Sequence, residues 1–397
     1  MNKIGNISGK NILLLQGPMG YFFRDLDILF SSYGATTFHI GFNAGDWFFA
    51  KKDNYIPYKK TLNDWDSFIE NFFNQYSIDK LFLFGDCRIY QRIAIEIAQK
   101  LDIETYVFEE GYVRPNYVTL EKWGVNNFSL ISRDKNFYQN LSKEEYAYSK
   151  EIATNSSFRK MAISASLYYL FAYFGKFRYP HYIHHRELHP VKELLYSIRS
   201  LYRKYLYKIL EYKKQDNIIK KKFFFVPLQT HNDFQLKTHS AFNTIEEFIE
   251  IVMVSFSNAK LDKGIYLVIK HHPMDRGRRN YKSYIVKLAR QLGIEKQVIV
   301  IYDLHLPTLL THTLGTITIN STVGLQALYH NSPVKVLGNA IYDIEGLCYK
   351  NSLDDFWLTP FKPDRELFEI FRGYLINNTQ INCSFYGDKI KNMELFK

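Results

Sequence analysis

The chain has 397 residues, 46% of them hydrophobic, and a formal net charge of +11. A chain of this length and apolar content can form two domains of roughly 150 to 200 residues each. Its three cysteines, Cys87, Cys348 and Cys383, are far apart and form no CxxC pair, which argues against a disulfide framework and against a zinc site. Such cysteine usage is typical of a reducing cytoplasm.

The first part of the chain predicts an α/β unit with a parallel sheet. Its apolar run 12–15 is too short for the core of a signal peptide and ends at Gln16-Gly17-Pro18, which indicates a first strand. Short apolar runs then alternate with amphipathic runs of helix length, as βαβ crossovers require. The predicted strands are 11–15, 37–42, 80–84 and 104–108, and the predicted helices are 22–33, 62–76 and 89–101.

Two helical segments follow. Residues 161–175 are apolar and aromatic with basic flanks, and because fifteen residues are too few to span a bilayer, they predict either a buried helix or one lying in a membrane interface. Residues 191–214 predict an amphipathic helix, and residues 191–222 carry ten Lys or Arg against three acids. We expect this basic helix either to attract anionic lipid or to be a solvated linker packed across both domains. Nucleic acid is not expected as a partner, because no stacking platform or reader motif accompanies these charges.

The same alternation restarts after residue 222 and predicts a second doubly wound unit. The predicted strands are 223–228, 265–269, 297–301, 316–319 and 334–337, and the predicted helices are 244–256, 281–292, 306–311 and 323–329. We therefore divide the chain into a first α/β domain 1–190, a basic helical linker 191–222 and a second α/β domain 223–397.

Polar side chains follow three strands of the second unit, at the edge where open α/β sheets bind ligands. Asp233 lies in the loop after strand 223–228, where it can be a nucleophile, a base or a helix N-cap. His272 precedes a proline that excludes a continuing helix, and imidazole is suited to hold a phosphate; Arg276 and two further arginines follow closely. The run 320–324 places hydroxyls at a strand-to-helix turn, which is typical of a phosphate site and also of an ordinary N-cap.

The strand ends of the first unit carry candidate acid/base residues and further polar residues. Glu109 and Glu110 follow strand 104–108, and their repulsion beside a cleft wall could raise one pKa toward neutrality, although isolated acids there are more often surface loop residues. The turn at Gln16 and Gly17 lacks both the GxGxxG and the GxxxxGK[ST] spacing. Two DxD triplets fall inside helix-like runs, so no metal is expected. Further residues on the predicted rim are Asn43, Asp46, Asp86 and Arg88.

Seven motifs, in order along most of the chain, resemble the capsule polysaccharide biosynthesis and export family of KpsS and KpsC type. They are LLLQGPMGYFFRDL, FNAGDWFF, FGDCR, FEEGYVRPNYVTLE, VPLQTHND, KHHPMDRGRRNY and NSTVGLQALYHNSPVKVLGNAIYDIEGL. The resemblance implies two Rossmann-like doubly wound domains facing across a cleft, the glycosyltransferase B architecture. It also implies a retaining transferase that moves β-Kdo from CMP-β-Kdo to lysophosphatidylglycerol, at the cytoplasmic face of the plasma membrane.

The resemblance implies a role for each motif residue. Asp233 would be the nucleophile, His272 would contact the donor phosphate, and Glu110, with Glu109 as its substitute, would be the acid/base. Ser321 and Thr322 would hold the same phosphate. The remaining donor-side residues are Gln229, His231, Lys270, His271, Arg276, Asn320 and Gly324, and the acceptor-side residues are Gln16, Gly17, Asn43, Asp46, Asp86, Arg88 and Arg114.

Retention requires two inversions, hence a carboxylate nucleophile and a second group that deprotonates the acceptor hydroxyl. Because CMP-Kdo carries one phosphate, neither a metal nor another cofactor is demanded. The expected partners are CMP-Kdo, a phospholipid or glycolipid acceptor, an anionic membrane surface, a KpsC-like transferase and a capsule export complex. The alternatives are another CMP-sugar transferase, of the sialic acid type, and a non-catalytic export scaffold.

Overall fold

The computed structural model describes residues 4–184, 190–231, 240–359 and 361–387. Contacts along the chain group it into two compact units. Unit 1 comprises Met1–Leu130, Glu144–Pro190 and Gly373–Lys397, and unit 2 comprises Ile131–Lys143 and Val191–Arg372. This division differs from the predicted one, because the segment expected to be a linker belongs to unit 2 and the chain after residue 372 returns to unit 1.

Unit 1 is built on a seven-stranded sheet of order β12-β6-β5-β4-β1-β2-β3. Its first five strands in sequence are parallel, whereas β6 runs antiparallel to β5 and β12 antiparallel to β6. The strands are β1 (Asn11–Leu15), β2 (Thr36–Gly41), β3 (Tyr55–Pro57), β4 (Lys80–Phe84), β5 (Glu104–Glu110), β6 (Val118–Lys122) and β12 (Gln380–Ile381). The antiparallel pair β6 and β12 was not predicted.

Unit 2 contains a five-stranded, all-parallel sheet of order β11-β10-β7-β8-β9. The strands are β7 (Lys222–Pro227), β8 (Ile265–Lys270), β9 (Val298–Ile301), β10 (Gly315–Thr318) and β11 (Val334–Val336). The two doubly wound α/β units that the strand and helix pattern predicted are therefore confirmed.

Helices and short 3-10 turns connect the strands. The helices are α1 (Phe22–Ser32), α2 (Ala44–Phe49), α3 (Trp65–Gln75), α4 (Ile89–Lys100), α5 (Lys135–Gln139), α6 (Lys143–Tyr146), α7 (Phe158–Phe174), α8 (Pro190–Leu210), α9 (Lys214–Ile219), α10 (Ile245–Asn258), α11 (Lys282–Gln291), α12 (Leu306–His312), α13 (Thr322–Tyr329), α14 (Leu353–Phe356) and α15 (Arg365–Thr379). The 3-10 turns are Leu62–Asp64, Asn126–Phe128, Lys176–Arg178 and Pro273–Asp275.

The sheet of unit 1 is covered on both faces. Along β1, Leu13 and Leu15 pack into a core with α3 and α4, whereas Ile12 and Leu14 pack into a second core with α1. A strand that buries both faces is apolar at nearly every position, which explains the continuous run that predicted it. In unit 2, β7 and β8 pack against α10 and α11 in a comparable core.

Helix α7 contains residues 161–174 of the apolar segment 161–175, and Gly175 caps its end. It packs against α2 and buries Tyr168 and Ala172, while Ile163, Leu170 and Phe174 remain exposed. One face of the helix is thus a buried part of unit 1. Across the described residues, the helices that reach spanning length are not apolar enough to cross a bilayer.

Both sheets have a topological switch point, where successive strands are added on opposite sides of the first strand. In unit 1, β1 lies between β2 and β4, and in unit 2, β7 lies between β8 and β10. Loops that leave the carboxyl ends of such strands diverge, so a crevice opens beside them. The predicted site residues after these strands therefore lie at the switch points of the two sheets.

Phe82 on β4 tests the aromatic core of unit 1. Its ring is fully buried, stacks on Tyr106 at 4.9 Å and contacts Phe30 at the same centroid distance. We expect Phe82→Ala to destabilise unit 1 by about 3 to 5 kcal/mol in urea unfolding followed by circular dichroism. Phe174→Ala, at an exposed position of α7, is the control, and an equal loss in both variants would contradict this packing.

Candidate active site

The switch point of unit 2 is held by a reciprocal pair of amide hydrogen bonds. The Gln229 side-chain amide after β7 donates to Asn320 Oδ1 after β10 at 2.9 Å, and the Asn320 backbone N–H donates to Gln229 Oε1 at 3.2 Å. Gln229 is buried, so both of its polar groups need such partners. The pair joins the loop that leads to Asp233 with the loop that carries Ser321 and Thr322.

A buried carboxylate fixes the same loop from the other side. Asp275 is 1% exposed and lies in the 3-10 turn after β8. Its Oδ1 lies 2.6 Å from His231 Nδ1, and its Oδ2 accepts from the His231 backbone N–H at 3.0 Å. Asp275 therefore orients the His231 ring and anchors the chain directly before the predicted nucleophile. Asp233 itself lies outside the described residues.

The three residues Lys270, His271 and His272 have different environments. Lys270 is buried, and its ammonium group donates to the Tyr302 carbonyl oxygen at 2.9 Å; burial lowers its pKa. The His271 ring is buried and stacks on Tyr281 at 5.6 Å and on Tyr302 at 4.7 Å. Burial lowers the pKa of His271 to about 4, so this ring is neutral at pH 7. These placements favour packing and positioning roles for both residues.

His272 is only partly buried, and its ring caps the 3-10 turn Pro273–Asp275. Its Nδ1 accepts a hydrogen bond from the Met274 backbone N–H at 3.2 Å. Because Nδ1 is the acceptor, a neutral ring carries its proton on Nε2.

Two of the arginines that follow are engaged in ion pairs inside unit 2. Arg276 pairs with Asp303 after β9, and Arg278 pairs with Glu193 on α8, with 3.0 Å between Nη1 and Oε1. Their positive charges are largely compensated by these carboxylates. The cluster of basic residues in the sequence therefore overstates the positive charge available at this edge.

The loop after β10 leads to the N-terminus of helix α13. Ser321 caps α13, and its Oγ accepts from the Val323 backbone N–H at 3.2 Å. Thr322 is the first residue of the helix and is partly exposed. A Cβ at Gly324 would lie 2.2 Å from the Tyr342 hydroxyl, so the glycine is required by packing. The N–H groups and dipole of this end favour a negative charge.

Glu109 is the second-last residue of β5 in unit 1, and its pKa differs from that of an ordinary carboxyl group. The side chain is partly buried, and its Oε1 accepts from the Glu110 backbone N–H at 3.0 Å. Burial raises the pKa of Glu109 to about 7, the carboxylates of Glu110 and Asp86 add to this rise, and Arg88 opposes it. Glu110 is exposed and pairs with Arg114 at 3.6 Å. The Glu109 carboxyl group can therefore exchange a proton near neutral pH.

The other residues predicted in unit 1 form a buried network. Gln16 donates to Asp46 Oδ2 at 3.1 Å and to the Tyr182 hydroxyl at 3.0 Å. Asp46 also accepts from the Tyr168 hydroxyl at 2.9 Å, and the Asn43 side-chain amide donates to the same hydroxyl at 2.7 Å. Because these groups satisfy one another, Gln16, Asn43 and Asp46 hold the loops after β1 and β2 in place.

Asp86 and Arg88 follow β4, the strand that lies between β5 and β1. Asp86 is fully buried, and its Oδ2 accepts from the Val125 backbone N–H at 2.8 Å. Arg88 Nη1 reaches Gln16 Oε1 at 3.5 Å. A Cβ at Gly17 would lie 2.4 Å from the Phe23 ring, so α1 packs against the loop at this point. Asp86 is thus a loop anchor, whereas Arg88 lies between Glu109 and the buried network.

Within the described ranges, no group of three or more His, Cys, Asp or Glu side chains is placed to hold a metal ion.

Comparisons with known proteins address the identity of the chain. Residues 79–386 match the family model described as capsule polysaccharide biosynthesis protein. The chain is 40% identical over 383 residues to the capsule polysaccharide export protein KpsS of Escherichia coli, covering 96% of this chain and 98% of that protein. It is 39% identical over 399 residues to the capsule polysaccharide modification protein LipB of Neisseria meningitidis serogroup B, covering 97% and 94%. The chain belongs to the capsule polysaccharide biosynthesis family.

The family membership agrees with the resemblance seen in the motifs. Among solved structures, the β-Kdo 2,7 transferase of Thermosulfurimonas dismutans KpsC matches 97% of this chain and 96% of its own, at 13% identity and a TM-score of 0.44. The UDP-GlcNAc 2-epimerase of Neisseria meningitidis matches 93% and 96%, at 13% identity and a TM-score of 0.35. At these TM-scores, neither structure bears on the reaction of this family member.

The family motifs meet within each unit. In unit 2 the residues after β7, β8 and β10 share one edge, and in unit 1 Gln16, Arg88 and Glu109 do so. The sequence analysis did not predict a role for Asp275, the buried carboxylate that contacts His231. It also did not predict Tyr168 and Tyr182, the tyrosines of the unit 1 network. An acid two residues after the His-Pro pair was the available signal for Asp275. No comparable signal marked Tyr168, which is contributed by α7 from far along the chain.

The raised pKa of Glu109 predicts a pH effect on stability. Because the folded protein holds this proton more tightly than the unfolded chain, stability falls as pH rises from about 4.5 to about 7. We expect Glu109→Gln to remove this fall, gaining up to about 3 kcal/mol over the wild type across that interval in urea unfolding. Glu110→Gln at the exposed neighbour is the matched control, and an equal gain there would contradict the assignment.

Proposed function

We propose that this family member is a retaining glycosyltransferase that moves β-Kdo from CMP-β-Kdo to a lysophosphatidylglycerol acceptor and so starts the Kdo linker of capsular polysaccharide. The motif resemblance supplies the donor and the acceptor. The observation that carries the proposal is Glu109, a carboxyl group whose pKa is raised to about 7 at the switch-point edge of unit 1. A group that titrates near neutral pH is suited to general base catalysis.

Asp233 is the nucleophile in this proposal. Its carboxylate attacks the anomeric carbon of Kdo, the bond from that carbon to the phosphate oxygen breaks, and CMP leaves with the bonding electrons. The acceptor hydroxyl then attacks the same carbon from the opposite face, releasing Asp233 as a carboxylate, and Glu109 takes the hydroxyl proton. Two inversions give net retention. We choose Glu109 over Glu110 because Glu110 is exposed and paired with Arg114.

The donor phosphate is assigned to the edge of unit 2. The His272 imidazole, the Ser321 and Thr322 hydroxyls and the N-terminus of α13 are the groups that support this assignment. CMP departs as a phosphate, which needs hydrogen bonds and positive charge but hardly any acid. Because these groups suit a single phosphate, the proposal invokes no metal and no further cofactor. Gln229, Asn320, Lys270 and Asp275 position the loops.

The names of the relatives leave room for a second function. KpsS of Escherichia coli is named as an export protein, so this chain could bind a glycolipid and pass it to a transport complex without catalysis. A CMP-sialic acid transferase is the alternative within enzymes. Purified protein incubated with CMP-Kdo, or with CMP-sialic acid, and lysophosphatidylglycerol separates these functions by product mass. A mass gain of one Kdo supports the proposal, and no gain with either donor favours the export scaffold.

Asp233→Asn tests the nucleophile. It removes the attacking charge while keeping the size of the side chain, so we expect turnover to fall by about 10³-fold or more with CMP-Kdo binding largely kept. The measurements are product mass against time and CMP-Kdo binding by calorimetry. Asp216→Asn, at an exposed position of α9, is the matched control. Full activity of Asp233→Asn would contradict the double-displacement mechanism.

The pH dependence of the rate tests the base. Glu109 must be deprotonated to accept the hydroxyl proton, so we expect kcat of the wild type to rise with pH through about 7. Glu109→Gln should lose about 10²-fold to 10⁴-fold in kcat and should lack this rise. Glu110→Gln should keep it. If Glu110→Gln loses the rise and Glu109→Gln retains it, the two roles are exchanged.

A further inference from the structure

Helix α8 is attached to unit 2 by its polar face. Arg203 Nη1 donates to the Arg276 carbonyl oxygen at 2.8 Å, and the Tyr207 ring stacks on Tyr302 at 4.0 Å. At the end of the helix, the buried Glu211 carboxylate accepts from the Tyr302 and Asp303 backbone N–H groups. These contacts hold α8 against the loops after β8 and β9, at the edge that carries Lys270 and His272.

The opposite face of α8 is apolar and exposed. At 3.6 residues per turn, the positions 194, 198, 201 and 205 lie almost diametrically opposite 196, 200, 203 and 207. Six large apolar side chains on this face are each more than half exposed: Leu194, Ile198, Leu201, Tyr202, Tyr205 and Ile209. A helix of a globular protein normally turns its apolar stripe toward the core, so this orientation is inverted. A contiguous exposed stripe of this kind marks an interaction surface.

The charges around the stripe indicate which surface covers it. Lys204 and Lys208 lie along one side of the apolar face, and residues 191–222, which include α8, carry ten Lys or Arg against three acids. Two copies that met through this face would bring these like charges together. An apolar stripe of leucine, isoleucine and tyrosine with basic flanks matches a helix that lies in the interface of an anionic membrane.

We propose that the outward face of α8 is a docking surface for an anionic lipid bilayer. The apolar side chains enter the boundary between head groups and acyl chains, and the lysines meet lipid phosphates. The inward face would then hold the donor edge of unit 2 about one helix diameter, roughly 10 Å, from the membrane. The proposal adds to the proposed function the surface that keeps the enzyme at its lipid acceptor. Only this link to the acceptor rests on the proposed function.

The test is co-flotation of the full chain with vesicles of phosphatidylglycerol and phosphatidylcholine in equal parts, or of phosphatidylcholine alone. We expect the wild type to bind the anionic vesicles and Ile198→Glu with Leu201→Glu to bind them at least tenfold more weakly, about 1.4 kcal/mol or more. The double variant Lys204→Glu, Lys208→Glu should bind the anionic vesicles more weakly than the wild type does. With vesicles of phosphatidylcholine alone, it should behave like the wild type. Ile251→Glu, at a half-exposed position of α10, is the matched control and should bind like the wild type.

Equal binding of the wild type and the Ile198→Glu, Leu201→Glu variant to anionic vesicles would overturn the proposal. So would a wild-type dimer in solution that this variant dissociates, because the face would then belong to a second copy. Turnover with a short-chain, water-soluble lysophosphatidylglycerol separates the two proposals: the variant should match the wild type. If the wild type shows no turnover, the transferase proposal fails, while flotation still decides the docking surface.

Discussion

Parallel strand pairing is the constraint on which the rest of this structure depends. Because β1, β4 and β5 run in the same direction, Gln16, Arg88 and Glu109 leave the sheet of unit 1 at one edge. The same pairing in unit 2 brings the ends of β7, β8 and β10 together. Residues separated by ninety positions, such as Gln229 and Asn320, can then share two hydrogen bonds. Each of the two clusters of candidate residues exists only because the strands that carry it are parallel.

Buried polar groups then decide which loop residues remain available. Asp86, Asp46 and Asp275 are almost inaccessible, and each accepts hydrogen bonds from loop backbone or neighbouring side chains. Leaving such a carboxylate without partners would cost several kcal/mol, so these residues define the loop conformations. The groups left partly exposed at the edges, Glu109 and His272 among them, are the ones to which chemistry is assigned.

Helix α8 combines specific polar contacts to its own unit with an exposed apolar face, which is unusual for a helix of a globular protein. Its polar face is bound to unit 2 through Arg203, Tyr207 and Glu211, so the helix position depends on specific hydrogen bonds and stacking. Its apolar face is left to solvent, at a cost that only a further surface can offset. The same helix therefore connects the loops after β8 and β9 with the surface proposed to meet the membrane.

The sequence by itself determined the elements whose pattern is local. It predicted β1 and β4 at their observed bounds, six of its nine predicted helices within two residues, and the motifs that mark the capsule polysaccharide biosynthesis family. Tertiary structure alone decided what depends on distant contacts: the antiparallel β6 and β12, the return of the chain after residue 372 to unit 1, and which side of α8 faces unit 2. It also decided that the pKa of Glu109 is raised to about 7, because burial depends on residues from other strands and loops. Periodicity and propensity are encoded in neighbouring residues, whereas burial and pairing depend on which segments meet in the folded chain.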